Sequence, residues 1–178
     1  MTGKPSDVDA AWVRSTVERF EGPLTLYAAR LLGDPEGARD VVQETFLRLC
    51  VQPRERVESK LAEWLFTVCR NRALDVLRKE GRMTQLSEEQ ASGRTSPEPG
   101  PADLVERRES EARVLDLLEA LPPGQREVIR LKFQNGFSYG EISRISGYSV
   151  GNVGYLIHVG LKAIRGQLGE IPTARAQV

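Results

Sequence analysis

Phe137-Ser138-Tyr139-Gly140-Glu141-Ile142 is the stretch on which the reading of this chain turns. Ser138 and Glu141 stand at the spacing at which a hydroxyl and a carboxylate each satisfy the other's free backbone amide. Phe137 and Ile142 have the spacing of an apolar staple across the same helix start. A helix therefore begins at Ser138. Gly147 falls where a tight turn needs a residue tolerant of positive φ, and Ser149 can cap a second helix carrying Val150, Val153, Ile157, Leu161, Ile164 and Leu168 on its core side. Two helices joined in this way make a helix-turn-helix. The second helix presents Asn152, Tyr155, His158, Val159 and Lys162 outward, with Arg165 further along. Side-chain amides and hydroxyls on such a helix reach base edges in the major groove of DNA. A three-helix bundle with a polar outer face has the same local pattern.

Working outward from this segment, apolar spacing is helical nearly everywhere, and no alternating β-branched run is bounded by turn signals. The fold class is all-α. Val13, Val17, Phe20, Leu24, Tyr27 and Leu31 form the stripe of a first helix, which Pro23 should kink or restart. Gly33-Asp34-Pro35 ends it and starts a second, with Asp34 as cap and Pro35 where no amide is needed. Ala38, Val41, Val42, Thr45, Phe46 and Leu49 are its buried side, and Pro53 stops it. Arg54 to Lys60 reads as a polar loop. Leu61, Leu65, Cys69, Ala73 and Val76 mark a third helix running to about Gly81. Residues 83–103 hold Ser92, Gly93, Pro97, Pro99, Gly100 and Pro101 without apolar period, the composition of a flexible connection. A fourth helical pattern runs from Leu104 to Leu121, and another from Gln125 to Gln134. The expected architecture is two small helical domains, 1–82 and 104–178, joined by the linker 83–103.

The 178 residues are 40% hydrophobic and 28% charged, with 25 basic and 25 acidic side chains, enough for one or two small cores. Split by region, the zero balance becomes −2 over 1–53, +3 over 54–82, −5 over 83–120 and +4 over 121–178. Two basic blocks flanking an acidic middle suit two nucleic-acid surfaces joined by a segment that repels nucleic acid. The apolar runs fall short of the ~20 residues a membrane helix needs, and the N-terminus lacks an apolar signal stretch, which places the chain in the cytoplasm. Cys50 and Cys69 sit in apolar helical patterns and are expected to be reduced core residues. With a single histidine, His158, and no phosphate-cradling Gly-rich loop, no catalytic residue, metal or cofactor is expected.

Three blocks together resemble the bacterial RNA polymerase sigma factors of the extracytoplasmic-function type. They are Asp40-Val41-Val42-Gln43-Glu44-Thr45-Phe46-Leu47-Arg48, then Trp64 to Arg78 (with Cys69-Arg70-Asn71-Arg72 at its centre), then Leu121 to Arg165. The resemblance implies that Asp40, Gln43, Glu44, Leu47 and Arg48 contact the clamp helices of the core polymerase. It implies that the third helix and the loop before it handle the minus-ten promoter element. Arg70, Arg72, Arg78, Lys79 and Arg82 would then form a basic surface, Asn71 would assist strand opening, and the segment ending at Lys60 would receive a flipped base. Trp64 is expected in the core rather than as a stacking platform. The helix-turn-helix would read the minus-thirty-five element through Asn152, Tyr155 and His158, with Arg126, Arg130, Lys132, Lys162 and Arg165 on phosphates.

The second helix departs from the family, carrying Gly154, Leu156 and Val159 where relatives commonly have arginine or lysine. Gly151, Gly154 and Gly160 weaken it by up to ~1 kcal/mol each relative to alanine, and close backbone approach to DNA is the expected compensation. The implied partners are core RNA polymerase, promoter DNA and an anti-sigma protein that clamps the two domains. The alternatives are an autonomous helix-turn-helix regulator and a protein-interaction module without DNA binding.

Overall fold

The computed structural model describes residues 7–81 and 113–169, and every regular element within them is helical. Arg82, the connection 83–103, the start of the fourth helical pattern and the tail beyond residue 169 lie outside the described residues. Helix α1 (Asp7–Leu32) leads through Gly33, at φ 67°, into α2 (Pro35–Cys50). The Asp34 carboxylate accepts the Glu36 and Gly37 amides at 3.0 and 3.1 Å, and Pro35 takes the first helical turn. All six residues of the expected α2 stripe are buried.

Pro23 does not restart α1, which is continuous through it. Proline removes one amide and frees the carbonyl four residues earlier. Here it lies on an exposed stretch that water reaches, and buried Leu24, Tyr27 and Ala28 hold the following turns in place.

Residues 54–60 are also not a loop. Arg54–Val57 forms a turn of helix, α3, and Glu58–Lys60 continues it as a 3-10 turn. Pro53 is pre-set for a helix start, Val57 is buried, and Arg54 pairs with Glu58 one turn on. Helix α4 (Leu61–Lys79) follows and ends near Gly81, at φ 68°. Leu65, Cys69 and Ala73 are buried as expected, joined by Phe66, Leu77 and Glu63. Trp64 is half-buried against the core. Cys50, by contrast, is exposed, because it ends α2 one position past buried Leu49 and faces an open groove.

The C-terminal part consists of α5 (113–119), α6 (Pro123–Phe133), α7 (Tyr139–Ser146) and α8 (Val150–Gly169). The capping box is formed in full. The Ser138 amide donates to Glu141 at 2.7 Å, and the Glu141 amide donates to the Ser138 hydroxyl at 3.3 Å. Phe137 and Ile142 are both buried, and Gly147 caps α7 at φ 79°. The Ser149 hydroxyl accepts the Asn152 amide at 3.2 Å, opening α8.

Helices α1, α2 and α4 pack on one another, as do α6, α7 and α8. Fully buried Leu24, Leu49, Leu65 and Phe66 anchor the first group, and Val128, Leu131, Ile142 and Val153 the second. Each such side chain contributes about 1.5–3 kcal/mol relative to exposure. The groups meet where α4 packs on α7 and share one continuous core. Phe66 sits at that junction, 5.2 Å from the Tyr27 ring and 5.1 Å from the Phe137 ring, edge-on to the latter.

Gly160 is explained by helix packing rather than by DNA. A Cβ there would lie 2.6 Å from Ile129 Cδ1, 3.3 Å from Leu121 Cδ1 and 3.4 Å from Gln125 Cβ, so its bare backbone is what lets α8 close on α6. A Cβ at Gly154 would meet the Tyr139 ring at an ordinary 3.6 Å, and at Gly151 it would meet open space.

Candidate nucleic-acid interface

Asn152, Tyr155, His158, Lys162 and Arg165 recur at three and four residues along α8, and all five are exposed. Tyr155 is 63% exposed, an unusual position for an aromatic ring. Buried Val153, Ile157 and Ile164 fix the opposite side of the helix against the core, so the polar row faces solvent. Amide, phenol, imidazole, ammonium and guanidinium thus share one face of the helix that Ser149 opens. That is the combination a major-groove reader needs.

The two arginines expected beside this face behave differently. Arg130 is buried and ion-paired with Glu119, and Arg126 also reaches Glu119, at 2.9 Å. Burial first, then the adjacent Arg30 guanidinium, pushes Arg130 down to about 10. Arg130 is therefore an internal strut between α5 and α6, and not an exposed phosphate anchor. Lys132 is half-buried and lies 5.4 Å from the Tyr139 ring, an arrangement that favours a cation over the ring face.

On α4, Asn71, Arg78 and Lys79 are exposed, as is Lys60 just before it. Arg78 pairs with Asp75 at 2.9 Å, an exposed pair of small energetic weight. Arg72 is ion-paired with Glu44, which also holds Arg48 at 3.1 Å. Glu44 thus couples the expected polymerase face of α2 to the expected DNA face of α4. Asp40, Gln43, Leu47 and Arg48 are exposed, Leu47 by 61%. Gln43 and Leu47 also line an open groove of about 900 Å³ between α1 and α2, whose floor includes Val13, Val17 and Phe46.

Arg70 departs most from expectation. Its guanidinium grips Glu127 of α6 through two hydrogen bonds, 2.7 and 3.2 Å, and the two side chains are only 14% and 9% exposed. The Tyr27 hydroxyl donates to the same carboxylate at 2.6 Å. Burial works against the charge on Arg70, but Glu127's hydrogen bonds and charge outweigh it and raise Arg70 above the usual guanidinium value. Burial and then the Glu127 charge hold Tyr27 well above the usual phenol range. Nearby, Arg144 of α7 donates twice to Glu63 of α4, both at 2.7 Å, and Arg30 donates to Gln134 at 2.6 Å. Sequence reasoning missed Tyr27, Glu63, Glu127 and Arg144. The available signal was weak: Glu63 and Glu127 are carboxylates set within apolar helical turns.

Among the described residues every regular element is helical, and α7 and α8 form a capped helix-turn-helix with an exposed polar face, the fold of the helix-turn-helix class. The Sigma-70 region 2 family model matches residues 16–83, and the Sigma-70, region 4 model matches residues 111–164. The ECF RNA polymerase sigma factor SigL of Mycobacterium tuberculosis is 31% identical over 169 residues, covering 94% of each chain. The RNA polymerase sigma factor CarQ of Myxococcus xanthus is 32% identical, covering 82% of each. Among solved structures, the sigma factor RpoE of Bartonella quintana, in complex with the anti-sigma factor NepR, shares the fold. Its TM-score is 0.62 at 24% identity, over 91% of this chain and 98% of that one. The chain belongs to the extracytoplasmic-function (ECF) RNA polymerase sigma factors.

Proposed function

We propose that this protein is a promoter-specificity subunit, which binds core RNA polymerase, directs it to a two-part promoter and assists melting there. The observation that carries the reading is the exposed row Asn152, Tyr155, His158, Lys162 and Arg165 on α8, the second helix of a helix-turn-helix whose first helix is capped by Ser138 and Glu141. Residues 1–82 act as the domain for polymerase and the minus-ten element, and 104–178 as the domain for the minus-thirty-five element. Asp40, Gln43, Leu47 and Arg48 form the polymerase contact, with Glu44 holding Arg72 beside it. Leu47 supplies an exposed apolar anchor, and the charges around it set orientation.

Lys60, Asn71, Arg78 and Lys79 act on the minus-ten strand, and Arg72 supports them through Glu44. Asn71 offers both a donor and an acceptor to a base edge. Lys162 and Arg165 hold phosphate, while Asn152, Tyr155 and His158 face the bases. With no arginine on the early turns of α8, guanine is read by weaker donors, and shape and phosphate contacts carry more of the affinity. The protein works in the cytoplasm, carries no catalytic step of its own, and is a target for an anti-sigma protein.

The test is direct. Replacing Leu47→Asp should abolish capture by immobilised core polymerase while leaving the helical content unchanged. Lys162→Ala with Arg165→Ala should lower the slope of log affinity against log salt by about 2, one for each lost phosphate contact. An unchanged slope would remove α8 from the DNA interface.

A further inference from the structure

We propose that the crevice between α1 and α6 binds a terminal phosphate group or a free anion of the same kind, gripped by Arg30, Arg126 and Arg130. Nucleic acid is not its ligand, and the site stands whether or not the chain reads promoters.

The three guanidiniums line one cavity of about 40 Å³, together with Tyr27 and Glu127. Their partners among the described residues do not balance them. Arg126 and Arg130 share the single carboxylate of Glu119, and Arg30 donates to the uncharged Gln134 amide oxygen at 2.6 Å. Glu127 is taken up by Arg70 and the Tyr27 hydroxyl. Four guanidiniums (Arg30, Arg70, Arg126, Arg130) against two carboxylates (Glu119, Glu127) leave a surplus of two positive charges.

Arg130 shows the deficit most clearly. Its side chain is 7% exposed, yet its Nε is buried without a hydrogen-bond partner among the described residues. A buried donor left unpaired is costly, and native proteins rarely keep one without a reason. Burial, then the Arg30 charge and further the Arg126 charge push Arg130 down to about 10, and burial lowers Arg30 as well. Pro123, at the start of α6, also lines the cavity. No side chain caps that helix start and its first turn carries no acidic residue, so its positive end favours the same anion.

The dimensions select the ligand. About 40 Å³ is several times what one water requires, so the cavity takes a single phosphate-sized group and leaves a nucleoside outside. Arg130 lies too deep for a backbone diester, which carries a sugar on either side. A terminal phosphate has three strong acceptor oxygens and close to two charges, which lets it serve several guanidiniums through paired hydrogen bonds. Glu119, 47% exposed, holds the place in the unliganded chain and can turn out to water as the anion enters.

The test is isothermal titration calorimetry of the full-length protein at low ionic strength, with inorganic phosphate, pyrophosphate and ADP as probes. Wild type is compared with Arg30→Gln plus Arg126→Gln, with Glu119→Gln, and with Lys162→Ala plus Arg165→Ala on α8. The two double variants each remove two positive charges, so bulk electrostatics weakens both alike. The Arg30 and Arg126 pair should also lose the site, with phosphate affinity falling on the order of 100-fold, roughly tenfold for each charge-assisted contact. Glu119→Gln keeps every guanidinium and removes the competing carboxylate. It should bind phosphate several-fold more tightly than wild type, with a larger rise in melting temperature on adding phosphate.

Tighter binding of pyrophosphate or ADP than of inorganic phosphate would support the site and assign it to the end group of a larger molecule; equal affinities would support it as a site for the free anion. Equal weakening in the two double variants would overturn it. So would displacement of phosphate by a DNA oligonucleotide lacking terminal phosphates, because the anion would then sit on the nucleic-acid surface. Absence of phosphate binding in both wild type and Glu119→Gln would overturn it even if the arginine variant failed to fold.

Discussion

The same chemical change at two glycines of α8 should have opposite effects. Gly160→Ala adds a methyl group into the α6–α8 contact, 2.6 Å from Ile129 Cδ1 and 3.4 Å from Gln125 Cβ. The close contact is with the end of the Ile129 side chain, which is buried and has little space to yield, and Leu121 Cδ1 at 3.3 Å must also give way, so the α6–α8 contact has to repack. Overpacking of this kind costs about 1–3 kcal/mol, while replacing glycine inside a helix returns up to ~1 kcal/mol. The net is a loss of about 0–2 kcal/mol. Gly154→Ala meets only the Tyr139 ring at van der Waals distance and keeps the propensity gain, about 0.5–1 kcal/mol. At this chain length 1 kcal/mol corresponds to about 2–4 °C in Tm, so Gly154→Ala should melt above Gly160→Ala by roughly 1–12 °C in thermal denaturation. A Gly160→Ala protein as stable as Gly154→Ala, or more stable, would refute the packing argument. Gly154→Ala also tests close approach of DNA at that position: promoter binding that is unchanged or improved removes the idea.

Further outcomes follow from other parts of the fold. Gly147 adopts φ 79° with open space around it, so Gly147→Ala should cost about 1–2 kcal/mol from backbone strain alone, read by chemical denaturation. Ser138→Ala should cost about 0.5–2 kcal/mol through loss of the cap. The Ser138 hydroxyl and amide hold Glu141 below the usual carboxylate range. Its contribution is therefore complete above that range and lost as pH falls through the depressed value, an effect kept small by exposure. Acid titration of wild type should show this extra loss, and Ser138→Ala should reduce it. Burial pushes the Cys69 thiol up to about 12, whereas Cys50 is exposed, so a maleimide should modify one thiol in the folded protein and two after denaturation. Modification of both in the folded state would contradict the buried position of Cys69.

The elements legible in the sequence were those whose determinants are local. Asp34-Pro35, Ser138 with Glu141, Gly147 and Ser149 each fix a helix boundary within four residues, and the α2 stripe needs only its own periodicity. The errors share a different cause. Arg54 to Lys60 reads as a loop because its helical turn depends on Val57 finding a buried site. Pro23 reads as a break because its effect depends on what packs around it.

Arg70 and Arg130 looked like phosphate anchors because a basic residue near an expected interface carries no mark of a partner 57 or 11 positions away. The seam between the halves is the extreme case. Glu63 and Arg144, 81 residues apart, cannot be paired from one sequence, since nothing local distinguishes an exposed charge from one awaiting a distant partner. The exposed row on α8 was legible because its positions are the complement of a buried stripe.

The central claim is tested most directly by run-off transcription with bacterial core polymerase and promoter DNA selected from a genomic library. The account predicts specific transcripts only when this protein is present. They should be lost when Asp40→Ala and Leu47→Asp are combined on the exposed face of α2. A protein that shifts duplex DNA alone and never redirects the polymerase would contradict the account and make it an autonomous helix-turn-helix regulator.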